Sequence, residues 1–230
     1  MRPQNTRARA ALGMGALGTA MLAAGSAAAQ APTAAPAPAA TPAVAKADAS
    51  LRIDKRRLNV RTGRRAVVRG TLKPAAAGRV VRLERLGAKG WRAIDKARTA
   101  DGGRFTLRFR SRRVDTAKVR VRFAGDGRAS AVRRRIGRLN VYRPALASWY
   151  GPGLYGNRLG CGGTLNAGTI GVAHKSLPCG SRVVLRKGGR VVRARVIDRG
   201  PYVGAREFDL TQATKQRLGF GSTGTVLVAH

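Results

Sequence analysis

Between residues 51 and 143, apolar side chains recur at every second position, and this alternation constrains the fold more than any other feature of the chain. It is clearest in residues 66–72, 105–109 and 119–123, where polar residues, often arginine, separate the apolar ones. A period of two gives strands with one packed and one solvated face. Glycine-containing turn signals separate the runs. We therefore predict a small antiparallel β-sandwich of six to eight short strands over residues 51–144.

The chain is strongly basic, with 46 Lys and Arg against 10 Asp and Glu and a formal net charge of +36. Of these basic residues, 30 lie in residues 51–144, where they alternate with core positions. They should cover the outer faces of the sheets, either as a solvated surface or as a docking face for a polyanion. We find no motif for groove entry or base stacking, so we do not expect a nucleic-acid partner.

The N-terminal residues have the order of a secretory signal peptide. Residues 1–29 combine a basic start, an apolar stretch at 10–24 and alanines at 27–29, which predicts cleavage after Ala29. An uncleaved membrane anchor is the alternative, but the apolar run is shorter than the ~20 residues of a span. Residues 30–50 are rich in Ala and Pro and are predicted to be a disordered linker. We expect a secreted, cell-wall or periplasmic protein without a membrane span after cleavage.

The C-terminal part, residues 145–230, has the pattern of a second compact β domain. Glycines within residues 187–189 suit a hairpin turn. Thr211 is placed to cap a short helix, and Gly219 is placed to end it. An apolar run at 225–228 gives a final strand. A β-barrel with one or two short helices is therefore expected, and the whole chain is predicted to be all-β with two domains.

Cys161 and Cys179 are the only cysteines of the chain. In an exported protein such a pair indicates a disulfide. Two other interpretations remain open from the residues alone, namely a metal site that also uses His174 and a Cys/His nucleophilic pair.

Asp198, Glu207 and Asp209 are the only acidic residues after residue 144. Asp198 follows a predicted strand and precedes a tight turn, and Asp209 precedes the predicted helix, whose N-terminus stabilises an anion. Two carboxylates in a groove could divide acid and base roles on a glycosidic bond. Each also has a structural interpretation: Asp198 as an arginine partner that caps the turn, Asp209 as a helix-start residue, and Glu207 as an ion-pairing surface residue.

Four motifs follow one another in the C-terminal part. They are residues 147–151 (Ala-Ser-Trp-Tyr-Gly), 171–180 (Gly-Val-Ala-His-Lys-Ser-Leu-Pro-Cys-Gly), 196–202 (Val-Ile-Asp-Arg-Gly-Pro-Tyr) and 208–211 (Phe-Asp-Leu-Thr). In this order they resemble the rare lipoprotein A (RlpA) family, whose fold is shared with expansins and some lytic transglycosylases. The resemblance implies a six-stranded double-psi β-barrel and peptidoglycan, or another anionic cell-wall polysaccharide, as partner. It implies no cofactor and no metal. The pattern of residues 51–144 weakly resembles bacterial immunoglobulin-like modules.

The resemblance also implies a set of site residues. The candidate catalytic residues are Asp198, Asp209 and His174, and the candidate substrate-binding residues are Ser148, Tyr150, Arg199 and Tyr202. His174 has a second interpretation as an interior imidazole. Active relatives have a glutamate in the loop after the opening strand, but this chain has Gly163 there. The two-acid mechanism of those relatives is therefore not transferred.

Two functional hypotheses follow. The first is an endolytic peptidoglycan transglycosylase with Asp198 as general acid. The second is a noncatalytic, expansin-like module that binds polysaccharide or loosens the wall. A less favoured third hypothesis is a secreted disulfide-stapled domain that binds a protein partner.

Overall fold

The computed structural model describes residues 45–230. The predicted signal peptide and most of the predicted linker lie outside the described residues. The strands are β1 (Ser50–Arg57), β2 (Asn59–Arg61), β3 (Arg65–Lys73), β4 (Val80–Gly87), β5 (Gly90–Arg98), β6 (Arg104–Arg110), β7 (Asp115–Phe123), β8 (Val132–Tyr150), β9 (Val172–His174), β10 (Arg182–Lys187), β11 (Arg190–Asp198), β12 (Phe208–Thr211) and β13 (Gly224–Ala229). The single α-helix of this part of the chain, α1, spans Gln212–Leu218, and one 3-10 turn lies at Asp101–Gly103.

The N-terminal half is a two-sheet sandwich. One sheet has the order β1-β3-β6, and the other contains β5, β4, β7 and the first part of β8, with β2 beside β8. Alternate residues of β3 (Ala66, Val68 and Leu72) are buried in a shared core. The period of two therefore sets the packing as predicted. One pairing is not antiparallel, because the three-residue strand β2 leaves the first sheet and pairs in parallel with β8.

The C-terminal half is a closed barrel of six strands. The order is β12-β9-β11-β10-β13-β8, and β12 also pairs with β8, which closes the ring. Two pairings are parallel, β9 with β11 and β8 with β12, and the other four are antiparallel. A second apolar core fills the barrel. The predicted all-β class, with a sandwich followed by a six-stranded barrel, is confirmed.

Strand β8 runs through both halves. It pairs with β7 up to Val141, and from Arg143 it pairs with β13 and then β12. The predicted domain boundary after residue 144 falls inside this strand, and the division into two domains stays a prediction. At the other end, the backbone of Ala47 is hydrogen-bonded to the loop before β8, so the folded part includes residues before the predicted limit at residue 51.

The helix ends and the hairpin turn that the sequence predicts in the barrel are found at the predicted positions. The side chain of Thr211 accepts a hydrogen bond from the backbone N–H of Thr214, and Gly219 ends α1 with a left-handed φ of +63°. The predicted hairpin turn joins β10 to β11. Among residues 45–230, no helix combines the length and the apolar character that a membrane crossing requires.

Candidate functional site

A row of four residues crosses adjacent strands of the barrel and forms the candidate site. Asp198 on β11 is paired with Ala173 on β9, Ala173 with Asp209 on β12, and Asp209 with Ser148 on β8. Residues opposite each other on neighbouring strands point to the same face of a sheet. The two aspartates therefore lie on one face, with α-carbons about 10 Å apart at ordinary strand spacing. Ala173, which is buried, lies between the two aspartates on this face.

A register irregularity in β11 places Asp198 on this face. Val192, Ala194 and Val196 alternate into the barrel core, so an unbroken strand would direct residue 198 inward as well. Along its pairing with β9, however, β11 advances by two residues, from Val196 to Asp198, while β9 advances by only one, to Ala173. Such a bulge re-aims the following side chain. The extra residue, Ile197, packs closely against Gly171. A Cβ added to Gly171 would lie only 2.2 Å from the Ile197 side chain.

Asp209 sits in a hydrogen-bonded, partly buried position. The Ser148 hydroxyl donates to Asp209 Oδ1 at 2.5 Å, and Arg206 donates to Ser148 Oγ at 3.1 Å. Burial raises the pKa of Asp209, and the charge of Asp198 adds to this, whereas the Ser148 hydrogen bond and the charge of Arg206 oppose it. Asp209 is thus a carboxyl group whose proton is held more tightly than usual.

Asp198 is fixed by backbone donors. Its Oδ1 accepts hydrogen bonds from the N–H groups of Gly160 (2.7 Å) and Arg199 (2.8 Å). Gly160 comes so close that an added Cβ would stand 3.0 Å from the carboxylate. Within residues 45–230, the second oxygen of Asp198 has no hydrogen-bond partner. One oxygen is therefore fixed by the backbone, and the carboxylate also lies close to the Tyr150 hydroxyl.

Tyr150 completes the site beside Asp198. Both residues line a pocket of about 190 Å³ whose walls include Leu159 and Leu165. The Tyr150 hydroxyl is buried and has no hydrogen-bond partner among the described residues. Burial raises the pKa of Tyr150 well above its usual value, and the Asp198 carboxylate beside the hydroxyl and the charge of Asp209 add to this. The phenol therefore keeps its proton and can donate it to a ligand.

His174 is not brought to the two aspartates. It follows Ala173 on β9, so its side chain lies on the opposite face of the strand. The ring is 8% exposed and packs 4.8 Å from the ring of Phe208. Its Nδ1 accepts hydrogen bonds from the backbone N–H groups of residues 176 and 177. Its Nε2 lies 3.4 Å from a carboxylate oxygen of Glu207, which forms an ion pair with Arg143. This geometry is that of an interior imidazole, and the ion-pairing role predicted for Glu207 is confirmed.

The guanidinium of Arg199 is bound by the loop after β9. It donates to the carbonyls of His174 and Leu177 and lies 2.9 Å from the sulfur of Cys179. Arg199 therefore holds the loop after β9 in position, and its guanidinium is not free to bind substrate.

Tyr202, by contrast, is 76% exposed, and its ring lies close to Gly200.

The predicted disulfide between Cys161 and Cys179 is confirmed. It joins the loop that donates to Asp198 to the loop that Arg199 holds. Within the described part of the chain, no group of three or more His, Cys, Asp or Glu side chains is placed to bind a metal ion.

Gly163 lies in the same loop and is exposed. Its φ is +78°, and an added Cβ would meet no atom within 4 Å. The Leu159 N–H donates to its carbonyl at 3.0 Å. The position at which the family resemblance implies a glutamate thus carries no acid, and its backbone is in the region that favours glycine.

Comparison with known proteins finds similarity in the barrel part of the chain. The profile of a family described as "Lytic transglycolase" matches residues 144–230. The resemblance to the RlpA family is confirmed for this part. A probable endolytic peptidoglycan transglycosylase RlpA of Synechocystis is 40% identical over 86 residues, which cover 36% of this chain and 27% of the relative. The endolytic peptidoglycan transglycosylase RlpA of Neisseria meningitidis is 42% identical over 84 residues, covering 36% and 35%. The chain thus spans only about a third of these relatives.

Sequence reasoning missed three contributors to the site. Ala173 separates the aspartates, Gly160 donates to Asp198, and Arg206 donates to Ser148. Gly160 adjoins a cysteine of the predicted disulfide, which could have drawn attention to it. Nothing in the sequence singles out Ala173 or Arg206, because both contributions depend on pairing between distant strands.

Proposed function

We propose that the RlpA-like barrel binds the glycan strands of peptidoglycan at the face that carries Asp198 and Asp209. The observation that carries this proposal is the row of four paired residues, which places two aspartates on one face of the barrel. The similarity to endolytic peptidoglycan transglycosylases supports peptidoglycan as the ligand. The pocket beside Asp198 and Tyr150 supplies the concave surface that a sugar requires.

The reaction proposed for this face is lytic transglycosylation, with Asp198 as the single acid and base. Its carboxyl group protonates the glycosidic oxygen as the bond to the anomeric carbon breaks. The resulting carboxylate then takes the proton from the 6-hydroxyl of the sugar that carries this anomeric carbon. As the proton leaves, the 6-oxygen attacks the anomeric carbon. A 1,6-anhydro sugar forms, and no water is consumed. One acid suffices for both steps, so the missing glutamate at Gly163 does not by itself exclude the reaction.

Tyr150 and Asp209 have supporting roles in this proposal. The buried Tyr150 hydroxyl lacks a partner within residues 45–230, and a sugar hydroxyl in the pocket would satisfy it. Asp209 does not line the pocket, so we assign it to positioning through Ser148 rather than to proton transfer. Tyr202 would contact a longer glycan outside the pocket.

The site of action that we infer is outside the cytoplasm. The disulfide is typical of an oxidising compartment, and peptidoglycan, which the relatives' names specify, is a wall polymer. The predicted signal peptide, which lies outside the described residues, would provide export.

The decisive experiment is product analysis on purified peptidoglycan. Wild type should release 1,6-anhydro-muropeptides that mass spectrometry detects, and Asp198→Asn should lower their rate of release by about 10²-fold or more. Asp101→Asn, a substitution of an exposed aspartate in the sandwich, is the matched control and should retain the wild-type rate. If wild type releases no anhydro product, the enzyme proposal fails.

A noncatalytic, expansin-like role is the second candidate, and a specific observation favours it. The loop acid of active relatives is replaced by Gly163, while Ser148, Asp198 and Asp209 remain as a polar row. Cosedimentation with insoluble peptidoglycan separates the two candidates. Binding by wild type without anhydro product, weakened by Asp198→Asn but not by Asp101→Asn, would establish the binding module.

A further inference from the structure

A cavity remote from the aspartates is lined by arginine side chains. Its volume is about 820 Å³, and it lies where one end of the sandwich meets the β10–β11 hairpin of the barrel. Six arginines line it, five from the sandwich and one from the hairpin: Arg57, Arg61, Arg64, Arg65, Arg110 and Arg186. The lining contains no lysine and no acidic residue.

These six guanidinium groups are not neutralised within the described residues. Other arginines have carboxylate partners, for example Arg79 with Asp126 and Arg120 with Glu84. None of the six takes part in an ion pair within residues 45–230. The contacts they do make to protein are hydrogen bonds to backbone carbonyls, from Arg57 to residue 65 and from Arg186 to residue 188.

Strand pairing concentrates the positive charge further. Arg65 on β3 and Arg110 on β6 are directly opposite each other, an arrangement that is destabilising for like charges. Arg110 also reaches over the turn at Gly63, within 3.8 Å of the position that a Cβ would take there. A cluster of this kind is stabilised when a multivalent anion enters it.

We propose that this cavity, the arginine cavity, binds a chain of closely spaced phosphate groups. Guanidinium forks bind phosphate oxygens in pairs, which suits a lining whose charged side chains are all arginines. The cavity is open to solvent, so a flexible chain can lie along it. No aromatic side chain lines the cavity, whereas single-stranded nucleic acids are bound with stacking on aromatic rings. The chemistry therefore favours a phosphate polymer without bases, linked either by anhydride or by diester bonds.

The test measures binding of the full chain to defined phosphate chains by calorimetry at about 150 mM NaCl, where distant surface charges are screened. The probes are tripolyphosphate for the anhydride linkage and poly(glycerol phosphate) for the diester linkage. The pocket variant is R61Q/R64Q/R110Q, since all three side chains are exposed and can be changed without disturbing the core. The matched control is R92Q/R133Q/R217Q, which removes the same charge from exposed positions outside the cavity.

The pocket variant should bind at least one probe about tenfold or more weakly than wild type, and the control should stay within about twofold. The probe that loses affinity identifies the linkage. Equal losses in both variants would overturn the proposal, because the attraction would then come from net charge alone. Absence of measurable wild-type binding to either probe would also overturn it. Tighter wild-type binding to an oligothymidylate of equal charge would overturn it in favour of nucleic acid.

Discussion

At the scale of single residues, the candidate site depends on which carboxylate meets the ligand and which is held inside. Asp198 has one oxygen fixed by two N–H groups and borders the pocket. Asp209 is more enclosed, and its hydrogen bond comes from Ser148. The same residue type therefore serves in two environments, and this difference sets their expected responses to substitution and to pH.

Asp209→Asn should stabilise the protein more at neutral than at acid pH. Burial raises the pKa of Asp209 in the folded state, so its contribution to stability is fully present at low pH and is lost as pH rises through the folded pKa. An asparagine cannot ionise, yet it keeps an oxygen that accepts from Ser148. Urea denaturation between pH 3 and pH 7 should show the difference in the free energy of unfolding, variant minus wild type, increasing with pH.

Asp101→Asn serves as the control for the change in net charge. A difference for Asp209→Asn that does not vary with pH, or that falls as pH rises, would contradict the assignment of Asp209 as a carboxyl group with a raised pKa.

At the scale of elements, α1 and the two loops joined by the disulfide hold the site in place. The hydroxyl of Thr211 caps α1 and donates to the carbonyl of Thr169 at 2.7 Å. The disulfide fixes the loop whose Gly160 N–H holds Asp198. These short-range constraints are distinct from the strand pairings that close the barrel.

Thr211→Val should lower the free energy of unfolding by about 1–2 kcal/mol. The substitution keeps the shape of the side chain but removes the cap and leaves buried partners unsatisfied. Thr225→Val, on an exposed position of β13, is the control and should change stability by less than about 0.5 kcal/mol. Guanidinium denaturation of both variants tests this. Equal effects would show that the hydroxyl of Thr211 contributes nothing particular.

Replacing both cysteines by serine should cost about 3 kcal/mol, because the disulfide closes a loop between residues 18 apart. We also expect weaker peptidoglycan binding at temperatures where the variant remains folded, since Gly160 would no longer be held against Asp198. Chemical denaturation gives the first quantity and cosedimentation the second. Retained binding by a measurably destabilised variant would show that the disulfide does not position the site.

At the scale of the whole molecule, the two halves are connected through β8 and a small apolar cluster at its midpoint. Tyr142 is fully buried there, against Val184 and Ala229 of the barrel and Val114 of the sandwich. Its hydroxyl donates to Asn59 on β2 at 3.0 Å. The cluster is separate from both main cores, so it can couple their unfolding.

Tyr142→Ala should lower the free energy of unfolding by about 3 kcal/mol or more. It should also convert a single calorimetric transition into two, because the contact that couples the halves is lost. Tyr142→Phe removes only the hydrogen bond and should cost about 1 kcal/mol with one transition retained. Two transitions in wild type, or one in Tyr142→Ala, would contradict coupling through this cluster.

Much of the architecture follows from local pattern. Apolar residues spaced by two predicted the sandwich strands, Thr211 and Gly219 predicted the ends of α1, and the cysteine pair predicted the disulfide. Strand, cap and crosslink signals of this kind depend on neighbouring residues or on a scarce residue type. These features can therefore be predicted from the sequence without knowing which strands pair with each other.

The arrangement of the site was decided by tertiary structure. The sequence by itself determined that Asp198 ends a strand and that Asp209 precedes a helix. Only pairing with β9 and β12 placed them on one face, and only the bulge at Ile197 turned Asp198 toward it. The same pairing placed His174 on the other face, and packing of the sandwich against the barrel hairpin gathered the arginine cavity. The physical reason is that register between distant strands is fixed by long-range packing, and a shift of one residue reverses every side chain that follows.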